Sequence, residues 1–294
     1  MKTNPDITIL IPTYNEEAII ADVIKRVRES MNRLKRNYEI LVINDGSKDN
    51  TALRAKKAGA RVISHPYNIG NGAAIKTGIR QAQGSILVMM DGDGQHNPEN
   101  IPALLKEIIH YDMVVGARRG YSESDIHRDI ANRLYNLFAS YICKRKIQDL
   151  TSGFRAINAS IARQFVSLLP NTFSYPTTIT MAVLRSGYSL AYVPIKANRR
   201  VGKSKIKLFR DGSRFLLIIL KIATLFSPMR VFLPVSLIMF LAGVGYGLFR
   251  ILFVTGTYGP TSAMLITMSV VVFMVGLVSE QVAQLRYDRS EKRD

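Results

Sequence analysis

Two uncharged apolar stretches near the C-terminus, Val231 to Phe249 and Ser262 to Ser279, constrain this chain more than any other feature. They run 19 and 18 residues without a charge, and a helix that crosses a bilayer needs roughly 20 mostly apolar residues. Between them, Thr255 to Thr261 contains Gly, Pro and Thr but no Lys or Arg, which reads as the short turn of a helical hairpin. A buried core hairpin in a soluble protein is the alternative, and the paired lengths and charged flanks fit it less well. The segment before the first stretch is heavily basic, and Arg286, Arg289, Lys292 and Arg293 follow the second. By the positive-inside rule both termini, and the large region before the hairpin, are expected in the cytoplasm. Gly243, Gly245 and Gly247 would let another helix approach closely, which leaves room for a homo-oligomer through these helices. Arg250 and Glu280, each near the end of its span, read as snorkelling to the two interfaces.

The rest of the composition is read against that hairpin. Forty Lys+Arg against 22 Asp+Glu give a formal charge of +18, yet 47% of the residues are hydrophobic. A basic soluble protein invites a nucleic-acid reading, but such chains are seldom this apolar, so charge and hydrophobicity sit in different places. The balance also excludes disorder. A single cysteine, Cys143, excludes an internal disulfide and a thiolate zinc site within one chain. Ile7 to Ile11 is too short for the apolar core of a signal peptide, so the N-terminal region is expected not to be exported.

Residues 1–200 alternate short apolar runs with helical patterns. Ile7–Ile11, Glu39–Ile43, Arg61–Ser64, Ile86–Met90 and Met113–Val115 read as strands; Glu16–Lys35, Lys48–Ala58, Ala73–Gln83 and Pro98–His110 read as helices. Strand and helix in repetition predict an α/β domain, a mostly parallel sheet flanked by helices, with ligands beyond the C-terminal ends of its strands.

Three of the strand-end loops carry chemistry: Pro12-Thr13-Tyr14-Asn15-Glu16-Glu17, Asn44-Asp45-Gly46-Ser47 and Asp91-Gly92-Asp93-Gly94-Gln95-His96. Two carboxylates two residues apart among glycines can converge on one divalent cation; hard oxygen donors suit Mg2+ or Mn2+, which would bridge phosphate oxygens. The same four residues also make an ordinary turn. They do not form an EF-hand loop, and His96 reads as a solvated loop histidine rather than a ligand. Gly70-Asn71-Gly72-Ala73-Ala74-Ile75-Lys76-Thr77 approaches both a Walker loop and a dinucleotide fingerprint but fails each at Ile75, so its glycines read as the start of a helix near neighbouring backbone.

These motifs occur in order with Asp49 and Thr51, Asn68-Ile69-Gly70, Asp149-Leu150-Thr151-Ser152-Gly153-Phe154-Arg155 and Arg199-Arg200-Val201-Gly202-Lys203-Ser204-Lys205. The ordered set resembles family 2 glycosyltransferases of the dolichol-phosphate mannose synthase and polyprenyl-phosphate glucosyltransferase type, over about residues 6–230 plus the hairpin. The resemblance implies a GT-A-type fold and a nucleotide-sugar donor held by Pro12, Tyr14, Asn15, Glu16, Asp45, Asp91, Gly92, Asp93 and Arg118. It implies a metal on Asp91, Asp93 and Gln95, with Arg118 and Arg133 meeting phosphates. Asp93, Asp149 and Arg118 become the catalytic candidates, and Arg133, Arg199, Ser204 and Lys205 the clamp on a polyprenyl-phosphate acceptor. Asn44 and Asn71 depart from the family's frequent aspartate and lysine. Two C-terminal spans look more like the glucosyltransferase branch.

The chemistry implied is inverting hexose transfer from a GDP-mannose or UDP-glucose type donor to a dolichyl or undecaprenyl phosphate. A phosphate monoester is already largely ionised near neutral pH, its second pKa being about 6, so no strong general base is required. Asp149 could accept a proton from a monoprotonated acceptor, orient the sugar, or cap the turn before Thr151.

The charge can now be placed. Between Lys196 and Arg230 ten Lys and Arg stand against Asp211 alone, a net +9 that is half the total, interleaved with Phe209 and the run Phe215 to Leu220. Such a segment is expected to lie along the bilayer as interfacial amphipathic helices. The domain organisation expected is thus a catalytic domain at 1–200, a basic juxtamembrane segment at 201–230, a hairpin at 231–285 and a tail at 286–294. A membrane-tethered nucleic-acid binder would not need Asp91 and Asp93. A processive polysaccharide synthase would carry a Gln-x-x-Arg-Trp motif, and the chain has no tryptophan.

Overall fold

A computed structural model describes residues 5–118, 126–171, 174–195, 220, 224–225, 227–254 and 256–291. The chain divides into two compact units, Met1–Ile206 and Lys207–Asp294. Most of the segment expected to form interfacial helices, and with it Arg199, Ser204 and Lys205, lies outside the described residues.

In the first unit, strands β1 (Ile7–Thr13), β2 (Tyr38–Asn44), β3 (Arg61–Ser64), β4 (Ile86–Met89), β5 (Met113–Arg118), β6 (Arg155–Asn158) and β7 (Leu190–Ile195) form one sheet in the order β3-β2-β1-β4-β6-β5-β7. All neighbours run parallel except β6, which is antiparallel to both β4 and β5. The expected strands are present, with boundaries moved by a few residues at most. Every residue of β1 is buried, as a central parallel strand covered on both faces requires.

Alternation along β1 sends Ile7, Ile9 and Ile11 to one face, into a core with Ile20, Ile24 and Val27 of α1 (Ile20–Asn32) and with Leu104 of α4 (Ile101–Glu107). Each such side chain contributes about 1.5–3 kcal/mol by leaving water. Leu10 points to the other face, where a Cβ on Gly78 of α3 (Asn71–Gln81) would overlap its side chain. Helix α1 starts four residues later than its apolar pattern suggests, because Asn15 to Glu17 are bound sideways. Asn15 lies at φ 56. The amides of Asn15, Glu16 and Glu17 donate to Ser47 Oγ, Thr51 Oγ1 and Asp49 Oδ2 in the loop that leads into α2 (Thr51–Lys57).

Helices α5 (Ile126–Cys143), α6 (Ala159–Phe165) and α7 (Tyr175–Arg185) complete this unit. The second unit is a pair of long helices, α8 (Met229–Phe253) and α9 (Pro260–Glu291), each containing a stretch long and apolar enough to cross a membrane. A Cβ on Gly243 would come within 2.9 Å of Ile266 and 3.0 Å of Leu265, and one on Gly247 would strike Tyr258. The small-residue ridge is therefore used inside the hairpin, while Gly245 faces open space. Glu280 does more than snorkel: its Oε2 accepts the Met229 amide at 3.1 Å, an acidic cap on the first turn of α8.

Candidate active site

Strand order reverses between β1 and β4, so the crevice beyond their C-terminal ends is where such a sheet binds ligands. Read along that edge, the sheet presents Asp45 after β2, the Tyr14 loop after β1, Asp91 after β4, Arg155 at the start of β6 and Arg118 at the end of β5. The antiparallel insertion of β6 has a specific effect. It pairs Arg155 with Met89 on one side and Val115 on the other, bringing the residues before β6 to the ligand-binding edge.

The Asp91 to His96 loop is packed tightly at its base. A Cβ on Gly92 would lie 2.7 Å from Thr13 Cγ2, and Gly94 takes φ +74, so both glycines are needed for the turn. The Asp91 amide donates to His96 Nδ1 at 3.3 Å, and the His96 ring stacks on Phe154 with centroids 5.3 Å apart. His96 is thus a buried anchor of this loop and not the solvated side chain expected from sequence. The Asp91 carboxylate rests against Gly153, where a Cβ would lie 2.7 Å from Oδ2.

Asp91 and Asp93 are half-buried and offer hard oxygens at the mouth of the crevice. Among the described residues no third His, Cys, Asp or Glu joins them. These hard oxygen donors suit a divalent cation of the Mg2+ or Mn2+ kind. Gln95 is held in the same turn, its amide donating to Asp93 Oδ1 at 3.1 Å.

Arg118 and Asp149 meet as an ion pair. Nε donates to Asp149 Oδ2 at 2.7 Å and Nη2 to Oδ1 at 2.8 Å, while the Arg118 amide reaches the same carboxylate at 3.2 Å. Thr151 adds its amide to Oδ1 at 3.2 Å, the turn cap anticipated for Asp149. Burial alone raises a carboxyl pKa, but the hydrogen bonds and charge of Arg118 outweigh it and hold Asp149 below its ordinary value. A carboxylate engaged in this way is a poor proton acceptor, which removes physical support from the general-base reading. The Arg118 side chain keeps about a third of its surface exposed, at 34%; burial works against its charge, and the carboxylates of Asp149 and Asp91 outweigh that and favour it.

Beneath these groups Arg155 is fully buried. It donates from Nη1 to Pro176 O at 2.9 Å and Thr180 Oγ1 at 3.1 Å, and from Nη2 to Ser152 O. Burial lowers its pKa, and the opposing influence of Tyr175, Tyr192, Asp149 and Asp91 favours its charge. Arg155 is a permanent cation under an acidic loop, a role that the linear pattern did not reveal.

Asp45 has a structural task in the fold. It is buried, with Oδ1 accepting the Ile69 amide at 3.0 Å and contacting His65 Nδ1 at 2.7 Å, and Oδ2 accepting the Gly70 amide at 2.8 Å. His65 Nε2 lies 2.9 Å from Thr77 Oγ1 on α3. Held by these contacts, the carboxylate ties the Asn68-Ile69-Gly70 loop to the end of β2. His65 went unremarked in the sequence, although its place immediately after β3 is the signal that could have found it. Pro12 is buried within β1, whereas Tyr14 is 40% exposed at the crevice. Asn15 is engaged through Oδ1, which accepts the Lys48 amide at 2.9 Å, and Glu16 is half-buried in the same loop. Arg133 is exposed on α5.

Comparison with known proteins agrees with this architecture. The Glycosyl transferase family 2 model matches residues 8–166, more than half of the chain, and the GtrB C-terminal hairpin model matches residues 227–285. Undecaprenyl-phosphate 4-deoxy-4-formamido-L-arabinose transferase from Pseudomonas fluorescens (strain Pf0-1) is 31% identical over 188 residues, 58% of this chain and 55% of that protein. Dodecaprenyl-phosphate galacturonate synthase from Rhizobium johnstonii is 28% identical over 167 residues, 54% of this chain and 49% of that protein. The chain thus spans about half the length of these two transferases. Glucosyl-3-phosphoglycerate synthase from Mycobacterium tuberculosis, solved with Mn2+, uridine diphosphate and phosphoglyceric acid, aligns with a TM-score of 0.59 at 23% identity. It covers 74% of this chain and 78% of that one, a likeness of fold. The family match, the GT-A-like sheet and the apolar hairpin together establish that the chain belongs to glycosyl transferase family 2 and is a membrane-associated glycosyltransferase.

Proposed function

We propose that the enzyme transfers a hexose, with inversion, from a nucleoside-diphosphate sugar of the GDP-mannose or UDP-glucose type to a polyprenyl phosphate, dolichyl or undecaprenyl, at the cytoplasmic face of the membrane. The reading rests on one observation: Asp91 and Asp93 follow β4 at the sheet's switch point and the pinned Arg118 ends β5 on the same edge, in a chain that also carries two helices of membrane-spanning length. Relatives that act on undecaprenyl and dodecaprenyl phosphates support the acceptor class.

In this scheme the exposed Tyr14 ring covers the base, and the Pro12 to Glu16 loop and Gly92 shape the donor pocket. Asp91, Asp93 and Gln95 would hold Mg2+ or Mn2+, which when bound neutralises charge on the diphosphate. Arg133, Arg199, Ser204 and Lys205 hold the lipid phosphate. Its oxygen forms a bond to the anomeric carbon as the bond to the diphosphate breaks, and the diphosphate departs with the electron pair. Arg118 faces the growing negative charge from a position fixed in advance, so little reorganisation is needed during reaction. Asp149 acts through Arg118, and the acceptor needs no base because it arrives ionised.

The test is transfer of radiolabelled sugar by the full chain in proteoliposomes with Mg2+ or Mn2+, across a panel of nucleotide-sugars and one polyprenyl phosphate. Lipid-linked product is expected. Preference for a soluble sugar or a protein as acceptor would overturn the reaction. Labelled donor that reaches the enzyme only from outside inside-out vesicles would agree with the cytoplasmic orientation of both termini and of the catalytic unit.

A further inference from the structure

Helix α5 is apolar on two sides. Tyr135, Ala139 and Ile142 face inward and are at most 4% exposed, while Leu134, Leu137 and Tyr141 are 62%, 68% and 53% exposed. The exposed three are spaced i, i+3, i+7 and so form one stripe along the helix. An amphipathic surface helix of a soluble domain would place polar side chains there. Where α5 ends, Lys144 adopts φ 51, and Lys144, Arg145 and Lys146 are all exposed. No acidic residue occurs between Ile130 and Gln148, so the stripe and its flank carry one sign of charge.

We propose that the outward face of α5 is a docking surface for an anionic lipid bilayer, with Leu134, Leu137 and Tyr141 entering the headgroup boundary and Lys144 to Lys146 pairing with lipid phosphates. Leu at the apolar boundary, Tyr with its hydroxyl toward water, and flanking Lys and Arg are the combination an interfacial helix uses. The charge favours this occupant over a second copy, since pairing two such faces would set Arg133, Lys144, Arg145 and Lys146 of one chain near the same four cations of the other, with no acidic residue between Ile130 and Gln148 to offset them. The hairpin of membrane-spanning length in the same chain raises the effective concentration of lipid around the unit, so a modest surface suffices. Docking would also orient Arg133, on the same helix, toward the membrane. Docking through α5 is independent of which sugar or acceptor the enzyme uses.

Because the chain has no tryptophan, Leu137→Trp creates a single reporter at an exposed site. Tyr141→Trp is a second reporter, and Leu53→Trp on α2, where Leu53 is 51% exposed, is the control. The full chain is reconstituted in phosphatidylcholine vesicles with phosphatidylglycerol and lipids brominated near the top of the acyl chains. Emission from 137 and 141 should shift to the blue and lose about half its intensity, since an interfacial helix reaches roughly 5–10 Å into the boundary. The reporter at 53 should stay unquenched. The effect should fade in pure phosphatidylcholine, in high salt, and in Lys144→Glu/Arg145→Glu. Quenching at 137 and 141 no greater than at 53 overturns the proposal. A blue shift without bromine quenching also overturns it, because it would mean that protein, a second copy or another segment of this chain, covers the stripe.

Discussion

Arg118 grips Asp149 at two points, Nε on one carboxylate oxygen at 2.7 Å and Nη2 on the other at 2.8 Å. Two residues that sequence reasoning assigned to separate tasks, phosphate binding and proton transfer, are therefore one unit. The carboxylate spends its lone pairs on holding the guanidinium.

Asp149→Asn should lower kcat roughly 10- to 100-fold by loosening Arg118, while the acid limb of the rate profile stays near the second pKa of the acceptor, about 6. The sign follows from the depressed pKa. Stability contributed by the Asp149 carboxylate is present above its unfolded value near 3.9 and is lost only as pH falls through the lower folded value, so nothing from it titrates near neutrality. A rate profile whose acid limb vanishes in Asp149→Asn would return Asp149 to the role of base.

Asp93→Ala is expected to cut turnover more than tenfold at saturating Mg2+ or Mn2+, and to weaken metal-dependent binding of the nucleoside diphosphate by calorimetry. A loss below tenfold would sink the metal assignment for Asp93 and, by extension, for its neighbours in the loop.

Asp45→Ala should destabilise the first unit by about 3 kcal/mol, because the Ile69 and Gly70 amides lose a buried acceptor together with His65. His65→Ala should act through the same loop with a smaller loss of stability, and the double variant should be much less than additive. Denaturant midpoints on the four proteins measure this; strict additivity would separate His65 from the clamp.

Within the hairpin, Gly243→Leu should lower the thermal midpoint in detergent, since even a Cβ there lies 3.2 Å from the Ile266 backbone nitrogen. Gly245→Leu, facing open space, should leave it nearly unchanged. Equal effects would mean that the packing inside the hairpin is not what the ridge provides.

Arg199→Ala, if Arg199 belongs to the lipid clamp, should raise the apparent KM for polyprenyl phosphate more than that for the donor. The opposite pattern would move Arg199 to the diphosphate.

Much of this protein can be read from its amino-acid order because the responsible physics is local. Uncharged runs of 19 and 18 residues meet the thickness of a bilayer, strand and helix periods report burial, and glycines among carboxylates mark a strand-end turn. These features determined the hairpin, the mostly parallel sheet and the Asp91 to His96 loop.

Tertiary structure decided what each charged group does, because a carboxylate's function depends on what stands opposite it. Asp45 faces amides 24 and 25 residues away, and Asp149 faces an arginine 31 residues away. His96 is buried by its stack on Phe154. The four-residue strand β6, running antiparallel between β4 and β5, carries Arg155 into the core under the acidic loop. Contacts between distant segments leave no period in the sequence. They follow from strand order and from the loops it brings together, which hold Asp45 inward, join Asp149 to Arg118 and leave Asp91 and Asp93 half-buried beyond β4.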